Sequence, residues 1–99
     1  MLQYSELMPF IRRLNWDTRN EAHIARHQVT REEVEQVWHG DYVIRQAYRE
    51  RLMLIGPTSA GRILAVILED EGNGSYYVVT ARPADRKVRR IYREEKEAG

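Results

Sequence analysis

The hydrophobic pattern of this chain changes period near Gly40, and few architectures accommodate such a change. Upstream the signals are helical. Asp17 carries an oxygen suited to cap a helix running to about His27, with Trp16 just outside it and able to pack back. Thr30-Arg31-Glu32-Glu33 is a capping box for a second helix, and Val29 and Val34 stand at the spacing of a hydrophobic staple. Val34, Val37 and Trp38 then follow at i, i+3 and i+4, a stripe that has to be buried, and Gly40 is placed to end the helix in a left-handed conformation. Downstream the period shortens to two. Residues 42–48, 51–55, 62–68 and 76–81 read as four strands, and the links at 57–61 and 71–75 are too short for parallel crossovers. After Pro83, residues 84–96 place Val88, Ile91 and Tyr92 at helical spacing. The expectation is an α+β domain with two short N-terminal helices, a four-stranded, mainly antiparallel sheet and a C-terminal helix. Ile11 to Leu14 is a candidate fifth strand, and residues 2–10 a short helix limited by Pro9.

With 99 residues and no internal repeat or linker, the chain reads as one domain over residues 1–99 with one modest core, so any site lies on the surface or at a partner interface. Cysteine is absent, which excludes disulfides, thiolate metal sites and a cysteine nucleophile. The longest apolar run, Ile63 to Leu68, is far shorter than the roughly 20 residues that a membrane helix needs. The N-terminus also lacks a signal pattern, so the expected location is the cytoplasm.

The formal net charge of +1 conceals an uneven distribution. Between Arg82 and Arg93 stand Arg82, Arg86, Lys87, Arg89, Arg90 and Arg93 against the single acid Asp85. Fourteen of the 16 basic residues are arginines, whose planar guanidinium grips phosphate or carboxylate with two parallel hydrogen bonds. A basic helix end can equally be a solvated face. Arg82, where the last strand meets Pro83, can hold a phosphate or pair with a first-helix carboxylate such as Asp17. His23 and His27 share a helix face four residues apart, but no third ligand stands at motif spacing, so neither a metal nor a cofactor is expected. Histidine is the side chain best poised for proton transfer near neutral pH, yet His27 alone also fits a structural role. Tyr92 falls on the apolar stripe of the last helix, where core packing with the hydroxyl at the rim competes with catalysis.

The segments Trp16-Asp17, Ile24-Ala25-Arg26-His27, Val29, Glu33-Val34-Glu35-Gln36-Val37-Trp38, Gly61-Arg62-Ile63-Leu64-Ala65-Val66, Thr80-Ala81-Arg82-Pro83-Ala84 and Arg89-Arg90-Ile91-Tyr92 together resemble the BrnT family, from about Asn15 to Arg93. The resemblance implies a ribonuclease toxin of a type II toxin–antitoxin pair, with a RelE-like fold and a ribbon-helix-helix antitoxin as partner. DNA would then be touched only through the antitoxin. Residue by residue, His27 matches the histidine of the family's Lys/Arg-His-Gly element and Arg82 the arginine of Ser-Ala-Arg. Arg89 and Tyr92 match the Arg and Tyr of Glu-Arg-x-x-Tyr. Gln28 replaces the glycine, Thr80 the serine and Val88 the glutamate, and residues 1–11 look like an N-terminal extension.

The resemblance implies RNA cleavage through the 2′-hydroxyl without a metal. His27 would act as base or acid, Arg82 and Arg89 would grip the phosphate with Arg86 and Arg90 nearby, and Tyr92 would donate a second proton or position the site. The alternative is a catalytically inactive module of the same fold that binds protein or nucleic acid, and Val88 favours it. A homodimer through the sheet edge or the last helix is compatible with either reading.

Overall fold

The computed structural model describes residues 10–98, so the helix expected over residues 2–10 lies outside the described part except for Phe10. The chain forms β1 (Arg13–Asn15), α1 (Thr18–Ala25), α2 (Arg31–Trp38), β2 (Val43–Gln46), β3 (Leu52–Pro57), β4 (Ile63–Asp70), β5 (Ser75–Pro83) and α3 (Arg86–Ala98). The five strands make one sheet in the order β1-β5-β4-β3-β2. Strands β2 to β5 form the expected antiparallel meander, and β1, the candidate fifth strand, joins β5 in parallel.

Both helix starts are built by their caps. The Asp17 carboxylate accepts from the Asn20 amide at 2.8 Å, while Asn20 Oδ1 accepts from the Asp17 amide at 2.9 Å. Asn20 is only 2% exposed, and its Nδ2 donates to the Asn15 carbonyl at 3.0 Å, so one buried side chain joins the end of β1 to the first turn of α1. In α2 the Thr30 and Glu33 box is closed at 3.0 and 3.1 Å. Glu33 also pairs with Arg62 at 3.1 Å, and Gln36 Oε1 accepts from the Ser59 amide, so α2 is held against the β3–β4 turn.

The core lies between one face of the sheet and these two helices. Ile24, Val29, Val34 and Val37 pack there with Leu54, Leu64, Val66, Leu68, Tyr76, Val78 and Ala81. Helix α3 is different, for none of its residues is buried. Val88, Ile91 and Tyr92 are half-buried, and polar tethers complete the attachment. The Tyr92 hydroxyl donates to the Asp41 carbonyl at 2.9 Å, Lys96 pairs with the Asp41 carboxylate, and Arg45 of β2 pairs with Glu95 at 2.7 Å.

Gly40 does not take the left-handed conformation expected of it. The α2 cap, His39, stays right-handed at φ −84°. Glycine serves there for space, since a Cβ would stand 3.0 Å from the Gln36 carbonyl oxygen. The left-handed helix end is instead at Gln28, φ 62°, after α1. The Gln28 amide donates to the Ala25 carbonyl and the Val29 amide to the Ile24 carbonyl, a Schellman arrangement whose flanking apolar pair, Ile24 and Val29, is buried. Arg49 and Glu50 are also left-handed, φ 54° and 60°, at the tip of the β2–β3 hairpin.

A non-glycine residue in this region carries a steric penalty that glycine avoids. Gln28→Gly is therefore expected to raise stability by about 0.5–1 kcal/mol, read as a higher midpoint in urea at unchanged slope. A lower midpoint would show that the Gln28 side chain contributes more than its backbone costs.

Candidate functional site

Arg82 owes its position to one extra residue. Side chains alternate between the faces of a strand, and Tyr76 and Val78 of β5 both point into the core. Continued alternation would send Thr80 and Arg82 inward as well. However, Leu68 pairs with Val78 and Ile67 with Thr80, so Val79 has no residue opposite it and forms a β-bulge. The faces exchange at that point. Ala81 enters the core, and Arg82 is exposed on the other face opposite Ala65.

Beyond Arg82 the chain turns directly into α3. The Ala84 amide donates to the Ile63 carbonyl, and the Asp85 carboxylate caps the helix by accepting from the Val88 amide at 2.9 Å. Arg89 folds back and donates from Nη1 to the Ala84 carbonyl at 2.8 Å, which returns its guanidinium to the β5–α3 junction two residues from Arg82. Arg86 and Arg90 are exposed on the same first turns of α3. Among the described residues, Arg82, Arg86, Arg89 and Arg90 make no ion pair; the salt bridges use Arg31, Arg45, Arg51, Arg62 and Lys96. Arg82 in particular does not pair with Asp17, whose carboxylate is taken by the Asn20 amide and by the Tyr77 hydroxyl at 3.1 Å.

His27 lies just past α1, half-buried, its ring edge-on to that of His23 with centroids 5.5 Å apart. No described hydrogen bond or ion pair joins it to Arg82 or Arg89. Arg82 belongs to β5, which packs against α1, and His27 follows α1 in the chain. Tyr92 sits farther along α3, with its hydroxyl on Asp41 and the Lys96 ammonium 5.7 Å from its ring centroid. It fastens the helix. Thr80, which stands where the resemblance has serine, is 7% exposed, and its hydroxyl has no hydrogen-bond partner among the described residues. No cluster of three or more His, Asp or Glu that could hold a metal occurs among the described residues.

The family model for the ribonuclease toxin BrnT of type II toxin–antitoxin systems matches residues 16–87. The chain belongs to the BrnT family. The crystal structure of the Brucella abortus ribonuclease toxin BrnT superposes with a TM-score of 0.60 at 25% identity, covering 75% of this chain and 97% of that one. No curated protein gives a sequence match. A protein antitoxin is the partner that membership in this family implies. The match contains His27, Arg82 and Arg86 but stops at Lys87, short of the C-terminal element that extended the resemblance to Arg93, so Arg89, Arg90 and Tyr92 lie beyond it. No helix of the described residues is long and apolar enough to cross a membrane.

Sequence reasoning missed three features here: the bulge at Val79, the return of Arg89 to Ala84, and a groove between α1 and β5. The groove is lined by Arg19, His23, Arg26, Tyr77 and Val79, with a volume of about 580 Å³. Its only sequence signal was the arginine and histidine spacing along α1.

Two predictions follow from the groups around Arg82 and Asp17. A buried hydroxyl without a partner costs about 1–3 kcal/mol, so Thr80→Val is expected to leave thermal stability unchanged or raised. A clear loss on calorimetry would show that the hydroxyl is bonded. The Asn20 amide, followed by the Tyr77 hydroxyl, holds the Asp17 carboxyl below its usual value of 3.8. A carboxylate with a lower pKa in the folded state stabilises above the unfolded value and loses that contribution as pH falls through the folded one. The melting-temperature deficit of Asp17→Ala should therefore be full at pH 7 and shrink as pH drops below 3.8. A deficit constant with pH would rule out the charged cap.

Proposed function

We propose that this BrnT toxin cleaves RNA by attack of a 2′-hydroxyl on the adjacent phosphorus, without a metal, and that a ribbon-helix-helix antitoxin silences it. The observation that carries the reading is Arg82: inside the family match, turned outward by the Val79 bulge, and free of any acidic partner among the described residues. Its guanidinium is then available to a phosphate.

In the step itself the 2′-oxygen forms a bond to phosphorus while the bond to the 5′-oxygen breaks, leaving a 2′,3′-cyclic phosphate and a 5′-hydroxyl. His27 takes the 2′-hydroxyl proton while water protonates the leaving 5′-oxygen, or, in the opposite assignment, His27 supplies that proton and water takes the first. Arg82 and Arg89 stabilise the charge that builds on the phosphoryl oxygens, and Arg86 and Arg90 hold neighbouring phosphates. Tyr92 acts by positioning, because its bond to Asp41 fixes the helix that carries Arg89. RNA as substrate places the action in the cytoplasm, and DNA is met only through the antitoxin. A second reading, a binding module without catalysis, draws on Val88, where the resemblance has a glutamate; here its amide is bonded to Asp85 and its side chain cannot take a proton.

The test is to incubate partner-free protein with mixed-sequence RNA in EDTA, alongside Arg82→Ala and His27→Ala proteins shown by circular dichroism to be folded. The wild type should cleave and leave cyclic-phosphate ends, with each variant at least about 100-fold slower, the usual cost of losing a charge-stabilising or proton-transfer group. Intact RNA from folded wild type would decide for the binding module.

A further inference from the structure

The groove between α1 and β5 carries three basic side chains on one wall. Arg19 and His23 of α1 and its C-cap Arg26, still helical at φ −63°, stand at i, i+4 and i+7 and so share one face, and all three line the groove. Arg19 and Arg26 are exposed and make no ion pair among the described residues. Glu21 is drawn off by Arg31 at 3.2 Å, whereas the Asp17 carboxylate stands at one end of the groove, held by the α1 cap and the Tyr77 hydroxyl and close enough to Arg19 for their charges to interact. The facing wall is β5. Strand β1 covers its outer side only from Ser75 to Tyr77, so from Val78 to Pro83 no strand among the described residues lies beyond it. The groove occupies that opening, with the half-buried Tyr77 and the bulged Val79 in its wall. Cations along one side and an aromatic side chain on the other are what single-stranded nucleic acid needs, since phosphates take the charge and bases stack.

In the chain, the groove residues adjoin those assigned to the chemistry. Arg26 is followed at once by His27, and Val79 lies three residues before Arg82.

We propose that Arg19, His23, Arg26 and Tyr77 form a substrate subsite that holds single-stranded RNA beside the cleavage position. The subsite rests on the reading of the protein as an RNA-cleaving toxin. It adds a track for the nucleotides flanking the scissile phosphate. A docking strip for an acidic segment of the antitoxin is the competing use, and the open sheet edge with an aromatic wall favours RNA.

The experiment measures binding of a fluorescent, uncleavable 2′-O-methyl oligonucleotide of mixed sequence by anisotropy across a salt series. The proteins are wild type, Arg19→Gln/Arg26→Gln, Arg19→Lys/Arg26→Lys, and Arg49→Gln as a control on the far β2–β3 hairpin. Wild type should bind with salt-dependent affinity. The glutamine pair should bind about tenfold more weakly with a salt slope smaller by about 1.4, from two contacts at about 0.7 each. The lysine pair should keep the slope, and Arg49→Gln should match wild type. Equal affinity and slope in the glutamine pair, or no binding by folded wild type, would overturn the subsite. So would a glutamine pair that releases the antitoxin but holds the oligonucleotide normally. Cleavage by wild type is scored separately. A protein that binds but does not cleave refutes the catalytic reading alone, whereas one that cleaves with the glutamine pair binding normally refutes the subsite alone.

Discussion

The β4–β5 ladder is the constraint on which the rest of this structure depends. Leu64, Val66 and Leu68 of β4 and Tyr76, Val78 and Ala81 of β5 supply much of the core, and the register between them decides which side chains the two faces receive. A strand repeats every two residues, so a uniform register that buried Tyr76 and Val78 would also bury Arg82. An uncompensated guanidinium in that core would cost several kcal/mol in effective desolvation. Val79 removes the conflict by standing outside the pairing. One residue of irregularity therefore preserves the core and delivers an arginine to the surface beside the start of α3. The same bulge forms part of the wall of the α1 groove.

Charge is divided between two uses. Arg31, Arg45, Arg51, Arg62 and Lys96 are matched to carboxylates and tie helices, hairpins and strands together. These pairs are largely at the surface, where each contributes little to stability and more to register and orientation. The arginines of the β5–α3 junction and of the groove are not so matched among the described residues. Their unopposed charge is a cost to the isolated protein, and it is the property that an anionic substrate would use. A near-neutral total conceals this division, because most of the acids are committed to structural cations or to helix caps.

Helix α3 shows how loosely a terminal element can be attached. Its hydrophobic residues are only half-buried, and it reaches the remainder of the protein through Tyr92, Glu95 and Lys96. The family match ends where this helix begins, yet the helix brings Arg89 back to Ala84. Elements held by few buried contacts belong to the low-stability end of a protein's opening spectrum. The geometry at the junction is accordingly set by a small number of polar contacts.

Local chemistry was legible in the sequence wherever a signal spans only a few residues. The caps at Asp17 and Thr30, the staple of Val29 and Val34, the short antiparallel links and the final amphipathic stretch each act within about one turn or one hairpin, so the residues themselves specify them. Gly40 and Gln28 mark the limit of that reasoning. Gly40 is expected to close α2 in a left-handed conformation and does not, whereas Gln28, where the resemblance has glycine, closes α1 left-handed through the Schellman bonds of Gln28 and Val29. The sequence thus determined the elements, their order and the family. Only the tertiary structure decided that Val79 is bulged, that Arg82 faces outward, that the Tyr92 hydroxyl bonds to Asp41 and that α1 forms a groove with β5. Those outcomes depend on pairing and packing between residues distant in sequence, and no local pattern encodes which of two equally alternating registers buries the better core.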